Sequence, residues 1–274
     1  MRSVTVAPSL PFCAVPRVRL DSLLADRGLF ASRSRAAAAV LAGQVHVGAG
    51  RARASKPGQL VEHDIELSID TPAQFVSRGG IKLANALDAL QIDVAGRQAL
   101  DVGASTGGFT DCLLQRGAAH VIALDVAYGE LDWRLRNDDR VTVIERCNAR
   151  AVEADQLPYA PDLIVIDVSF ISLGKVLPAV LGVAAPRYDC LAMVKPQFEV
   201  GRERVGKGGV VREVELRREA IATVAGGAGA SVQGFAPSGL PGPAGNRETF
   251  VWFAEEGRAG ALTDLVAALE GVDA

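Results

Sequence analysis

The sequence predicts a doubly wound α/β domain preceded by a smaller α/β module. Three observations predict it. Short apolar runs recur from about residue 97 onward and alternate with helical patterns, as in a parallel sheet covered on both faces. A glycine-rich turn, DVGASTGGFTD over Asp101 to Asp111, stands between the first run and the next helix. Charge is also split. Residues 17–60 carry seven arginines and Lys56 against Asp21 and Asp26, a net +6 inside a chain whose total is −3. A basic module joined to an acidic one is the asymmetry expected when one part holds a polyanion.

Length and composition bound the remaining possibilities. The 274 residues suit about two domains at roughly 100–200 residues each. No run approaches the ~20 apolar residues of a spanning helix, and a membrane partner is not expected. Residues 1–16 hold one arginine, Pro8, Pro11 and Pro16, with no clean small-residue cleavage site. They read as a disordered extension rather than a signal peptide. Cys13, Cys112, Cys147 and Cys190 form no C-x-x-C pair, and the three histidines are scattered. Reduced thiols in a cytoplasmic protein, with no metal, are the expectation.

Along the chain, RLDSLLADRGL (19–29) predicts an amphipathic helix ended by Gly28. Ser32 or Ser34 can cap a second helix that stops at Gly43. The strand QVHV, the turn GAGRARASKPGQ and a strand-like VEHDIELSI complete a module over 17–70, and 71–78 reads as a linker. The larger domain, 79–257, predicts strands at 97–103, 119–126, 162–169, 189–195, 230–235 and 248–254. Helices are predicted at 79–91, 107–116, 128–136, 171–184 and 212–227, with a terminal helix and tail over 258–274.

In a doubly wound sheet, ligands bind outside the carboxyl ends of the strands. The candidate cofactor loop comprises Asp101, Gly103, Ala104, Ser105, Thr106, Gly107, Gly108 and Phe109. The next strand ends in Asp125, where a carboxylate can accept hydrogen bonds from both hydroxyls of a ribose. The glycine spacing is G-x-x-x-G-G, so the G-x-G-x-x-G dinucleotide fingerprint is absent. A loop beginning D-x-G instead suits S-adenosylmethionine, which has no phosphate.

The motif DVGASTGGFTD is similar to the first motif of FtsJ-like RNA 2′-O-methyltransferases. The flanking SRGGIKL, LRND, IDVSFISL, VKPQFE and GNRETF resemble the TlyA family more narrowly, proteins historically labelled hemolysins. The pattern DxLLADRGL…SRSRA…GQVHV resembles an S4 RNA-binding domain. The resemblance runs from about Arg17 to Phe253 and implies a Rossmann-like methyltransferase domain behind an S4 domain. It implies a monomer using S-adenosylmethionine to methylate a cytidine 2′-hydroxyl in 23S, and in some members also 16S, ribosomal RNA.

The family resemblance further implies a catalytic tetrad, here Lys82, Asp167, Lys195 and Glu248. A ribose hydroxyl is a poor nucleophile, and its proton must go somewhere as the bond forms. Lys195 is assigned as base, Lys82 as the cation that assists it, and Asp167 and Glu248 as orienting carboxylates. Asp167 and Lys195 each follow an apolar strand run, and Glu248 begins the last strand, which supports these three locally. Asn148 joins the cofactor set, and Arg17, Arg19, Arg33, Arg35 and Arg136 the RNA-binding set. Two other classes compete: a hemolysin-like membrane-active protein, which needs an amphipathic or spanning segment not evident here, and a non-catalytic RNA-binding protein, against which the complete tetrad argues.

Overall fold

A computed structural model describes residues 16–70 and 73–272. The expected extension over 1–16, apart from Pro16, lies outside the described residues. The chain divides into two compact units after residue 72.

The N-terminal unit contains β1 (Arg17–Arg19), α1 (Leu20–Asp26), α2 (Arg33–Leu41), β2 (Val45–Val47), β3 (Ala52–Arg53), β4 (Leu60–Glu62) and β5 (Leu67–Ile69). Strand β1 pairs antiparallel with β4, and β2 lies between β3 and β5. Leu20, Leu23 and Leu24 from α1 pack with Ala36, Ala39 and Val40 from α2 and with Val45 and Val61. The apolar spacing of both helices is thus spent on one small core. Ser32, not Ser34, caps α2, its Oγ accepting from the Arg35 amide at 3.3 Å.

The C-terminal unit begins with α3 (Arg78–Leu90), capped by Ser77. Then come β6 (Gln98–Val102), α4 (Gly108–Gln115), β7 (His120–Leu124), α5 (Trp133–Arg136), β8 (Val141–Ile144) and β9 (Leu163–Ile166). The chain continues through α6 (Leu177–Gly182), β10 (Asp189–Val194), α7 (Pro196–Glu199), α8 (Val214–Gly227), β11 (Ser231–Pro237), β12 (Thr249–Ala254) and α9 (Leu265–Glu270). The sheet order is β11-β12-β10-β9-β6-β7-β8. Strands β6 to β10 run parallel, and β12 is antiparallel to both β10 and β11. Both sheet faces carry a buried apolar cluster, one around Leu100, Ile164 and Phe253, the other around Leu83, Leu113 and Phe250.

This topology places the switch point at β6 and β9, because the chain winds outward to β8 and returns to pair β9 with β6. Val102 pairs with Ile166, so Gly103 and Asp167 leave the sheet side by side. Val194 pairs with Thr249, and the reversed direction of β12 puts Glu248 at the same rim as Lys195.

Several expectations need correction. Strand β8 was not predicted; it is a half-buried edge strand with little apolar contrast. The helix expected over 128–136 shrinks to one turn started by the Asp132 cap, whose side chain accepts from the Arg134 amide. Residues 171–184 form a 3-10 turn, Leu173–Lys175, and then α6, because Pro178 fits only the first turn of a helix. The terminal helix is confined to Leu265–Glu270, started by an Asp264 cap.

Candidate active site

The glycine loop is built by close backbone approach. Gly103 has φ +83°, and a Cβ there would lie 2.5 Å from the Asp167 carbonyl oxygen. Gly107 has φ +94°, and its Cβ would meet the Leu135 side chain at 2.3 Å. Only glycine satisfies both the left-handed backbone and the contact. Gly103, Ala104, Ser105, Thr106, Gly108 and Phe109 line a cleft of about 390 Å³, and Gly107 packs against Leu131 and Leu135.

All four tetrad residues line that same cleft. Lys82 projects from α3, is only 7% exposed, and is ion-paired through Nζ with Glu248 Oε2, itself 3% exposed. Lys195 Nζ lies 2.5 Å from Asp167 Oδ1 and donates to Ser169 Oγ at 2.8 Å. Each ammonium thus faces one carboxylate, and the cleft contains two neutral pairs. The loop over 238–247 holds Glu248 in place. Arg78 donates to the Pro241 carbonyl at 2.8 Å, Asn85 donates to the Ser238 carbonyl at 3.0 Å, and Gly242 leaves room for the Glu248 carboxylate.

The remaining cofactor candidates are more dispersed. Asp125 accepts from the amides of Ser105 and Ala127, each at 2.7 Å. It lines a narrow crevice of about 10 Å³ with Ala104, Ser105, Glu130 and Glu145, and Ser105 Oγ joins two of its walls by donating to Glu130 at 3.1 Å. Asp101 is fully buried beneath the loop and accepts from Thr110 Oγ at 2.7 Å. It does not line the cleft. Burial pushes its carboxyl up to about 7, against the opposing Thr110 hydrogen bond, with the charges of Asp167 and Asp125 adding to the rise. Asn148 is exposed after β8, where its side chain caps a 3-10 turn by accepting from the Arg150 amide. Arg136, expected to contact RNA, is half-buried at the end of α5. It is ion-paired with Glu145 at the wall of the crevice.

A second, larger cavity of about 960 Å³ shares Ser169, Lys195, Pro243 and Glu248 with the cleft. Arg150, Lys175 and Arg202 line it, together with Phe170 and Phe198. Phe170 is 91% exposed and sits at φ +66°, a costly conformation for a bulky residue that no core packing explains. Its ring lies 5.3 Å from that of Phe198. Glu199 braces this pair, accepting from Ser172 Oγ at 2.6 Å and from the Leu173 amide at 2.8 Å. The sequence reading missed Phe170, Phe198 and Ser169. The available signal was an aromatic three residues beyond each charged strand end, in DVSF and KPQF. The glycine-rich segment 201–211 borders the cavity and is pinned by Asn246, which accepts from the Val211 amide and donates to the Gly209 carbonyl.

In the N-terminal unit, Arg17 and Arg35 are exposed, while Arg19 and Arg33 both reach Asp21. Among the described residues of the whole chain, no helix is long and apolar enough to cross a membrane.

The switch-point loop, the reversed β12 and the charged rim define a Rossmann-like methyltransferase. Residues 75–255 match the FtsJ-like methyltransferase family. The 16S/23S rRNA (cytidine-2′-O)-methyltransferase TlyA of Mycobacterium tuberculosis is 49% identical over 241 residues, 86% of this chain and 89% of that one. Hemolysin A of Brachyspira hyodysenteriae is 40% identical over 205 residues, 74% of this chain and 85% of its own. A solved structure described as a hemolysin from Streptococcus thermophilus superimposes with a TM-score of 0.68 at 38% identity, covering 94% of this chain and 96% of that one. The chain therefore belongs to the TlyA family of FtsJ-like methyltransferases.

Proposed function

We propose that this protein methylates a cytidine 2′-hydroxyl in ribosomal RNA with S-adenosylmethionine, and that its N-terminal unit is an S4-like RNA-binding domain. On this reading it works in the cytoplasm as a monomer. The observation that carries the proposal is the convergence of Lys82, Asp167, Lys195 and Glu248 in one cleft beside the glycine loop. The TlyA relative's name supplies the acceptor class.

The residues present fit the cofactor. Gly103 lines the cleft with a left-handed backbone, Gly107 lets the loop turn tightly against Leu131 and Leu135, and Asp125 retains acceptor capacity beyond its two amide bonds. The amino-acid end of the cofactor would lie against Gly103 to Thr106, and its ribose against Asp125, with the Ser105–Glu130 bond yielding. S-adenosylmethionine supplies an electrophilic sulfonium methyl. To accept the hydroxyl proton as the new carbon–oxygen bond forms and the sulfonium carbon–sulfur bond breaks, Lys195 must first give its ammonium proton to solvent. Asp167 and Ser169 aim its Nζ. Lys82, fixed by Glu248, is the second cation and orients the acceptor oxygen. The Phe170–Phe198 pair offers a stacking face for an unstacked base, and Arg150, Lys175 and Arg202 contact phosphates.

Three outcomes follow. Purified protein transfers label from S-adenosyl-[methyl-³H]methionine to ribosomal RNA; binding of the cofactor with no labelled RNA would instead favour a non-catalytic RNA-binding role. Gly103→Ala forces a side chain into a left-handed backbone at about 1–2 kcal/mol and into the Asp167 carbonyl. Calorimetry should register cofactor binding weakened about tenfold or more; unchanged affinity means the loop is not the cofactor seat. Phe170→Ala removes a stacking partner worth about 1–3 kcal/mol per base, so kcat/KM for RNA falls about tenfold to a hundredfold while the cofactor Kd holds. An unaffected kcat/KM removes the ring from the acceptor site.

A further inference from the structure

Among the described residues of the N-terminal unit, Asp21 is a buried charge whose position the small core does not explain. The Asp21 side chain is 4% exposed, yet it is gripped by two arginines whose own side chains are 47% and 57% exposed, Arg19 and Arg33. Arg19 binds it through two atoms, Nε to Oδ1 at 3.1 Å and Nη2 to Oδ2 at 2.6 Å. Arg33 Nε lies 3.2 Å from the same Oδ2. The Ser22 amide donates to Oδ1 at 2.8 Å, and the Asp21 amide donates to the Pro57 carbonyl at 3.0 Å, so the carboxylate is fixed from its own backbone. The Arg19 hydrogen bond holds it ionised, its carboxyl lowered to about 2 against the cost of burial. Gly58 completes the arrangement. The Arg19 guanidinium lies over it, and a Cβ there would come within 2.9 Å of Nη1.

One carboxylate thus holds two guanidinium groups from different elements, β1 and α2. Each arginine has five N–H donors. Arg19 commits two to Asp21 and Arg33 commits one, and both Arg33 Nη groups are without a partner among the described residues. The triad keeps a net positive charge with its flexible side chains already ordered. That is the arrangement that lowers the entropy lost on gripping an anion.

Arg19 and Arg33 already belong to the RNA-binding set that the resemblance implies; we propose that Asp21 is the positioning residue that holds the two as one fork for an RNA phosphodiester. This rests on reading the N-terminal unit as RNA-binding, and the two claims fail separately. The measurement is equilibrium binding of the full-length protein to deproteinised ribosomal RNA at fixed salt. Asp21→Asn removes a negative charge, so simple attraction to a polyanion predicts tighter binding. Positioning predicts the opposite, a loss of about tenfold, with partial recovery in Asp21→Glu. Arg19→Ala with Arg33→Ala must weaken binding at least as much. If it does not, the RNA reading of this unit falls. If it does, and Asp21→Asn binds as tightly as or tighter than the parent, the positioning role falls. Gly58→Ala displaces Arg19 and leaves the carboxylate in place; it should reproduce the loss. Should Asp21→Asn unfold the unit, this variant decides alone, and parental affinity in it overturns the proposal.

Discussion

Lys195→Ala should lower single-turnover methyl transfer to ribosomal RNA by about 10²–10⁴, the usual contribution of a positioned proton acceptor. Cofactor affinity should stay within about a factor of two. The asymmetry follows from where Lys195 stands. It leaves β10 at the rim where the cleft and the larger cavity meet, so it faces the acceptor as well as the loop. Its Nζ is aimed by Asp167 at 2.5 Å and Ser169 at 2.8 Å, not by the glycine loop. Lys195→Arg keeps the charge and is an independent check, because a guanidinium cannot serve as the base. Turnover near the parental rate in either variant would move the proton to another group.

Lys82→Met should have the largest effect on stability. Lys82 and Glu248 are both buried, and removing one member of such a pair leaves a desolvated charge, at about 3–5 kcal/mol. For a unit of this size that corresponds to a fall in Tm of about 10 °C. Lys82→Met with Glu248→Leu should recover most of the Tm, since an apolar pair of similar volume replaces the ion pair. It should recover none of the methyl transfer. Stability and catalysis are thereby separated at one site. A melting curve for Lys82→Met within 2 °C of the parent, as judged by calorimetry, would mean that the pair is well solvated and contributes little to stability.

The sequence reached most of this site because strand ends are legible. Asp167 and Lys195 follow apolar runs, and the parallel sheet converts that pattern into a shared rim. Lys82 was different. On its helix it reads as one more charge, and its significance comes from a partner 166 residues away. The acceptor side was less legible still. Phe170 and Phe198 meet only because a left-handed residue and a single helical turn bring two loops together. Neither feature has a sequence period. Strand β8 was missed and α5 was drawn too long for a related reason, since a half-buried edge and a capped single turn carry little apolar contrast. The ion pair between Arg136 and Glu145 was not legible either, since Glu145 lies beyond the next strand.

The central claim is methyl transfer to a ribose hydroxyl. Its most direct test is mass spectrometry of nucleosides from ribosomal subunits, and from their deproteinised RNA, after treatment with the protein and S-adenosylmethionine. The RNA should come from a strain lacking the gene. The account predicts new 2′-O-methylcytidine, absent when Lys195→Ala replaces the parent. A methyl group on the cytosine base, or on any nucleoside other than cytidine, would contradict it.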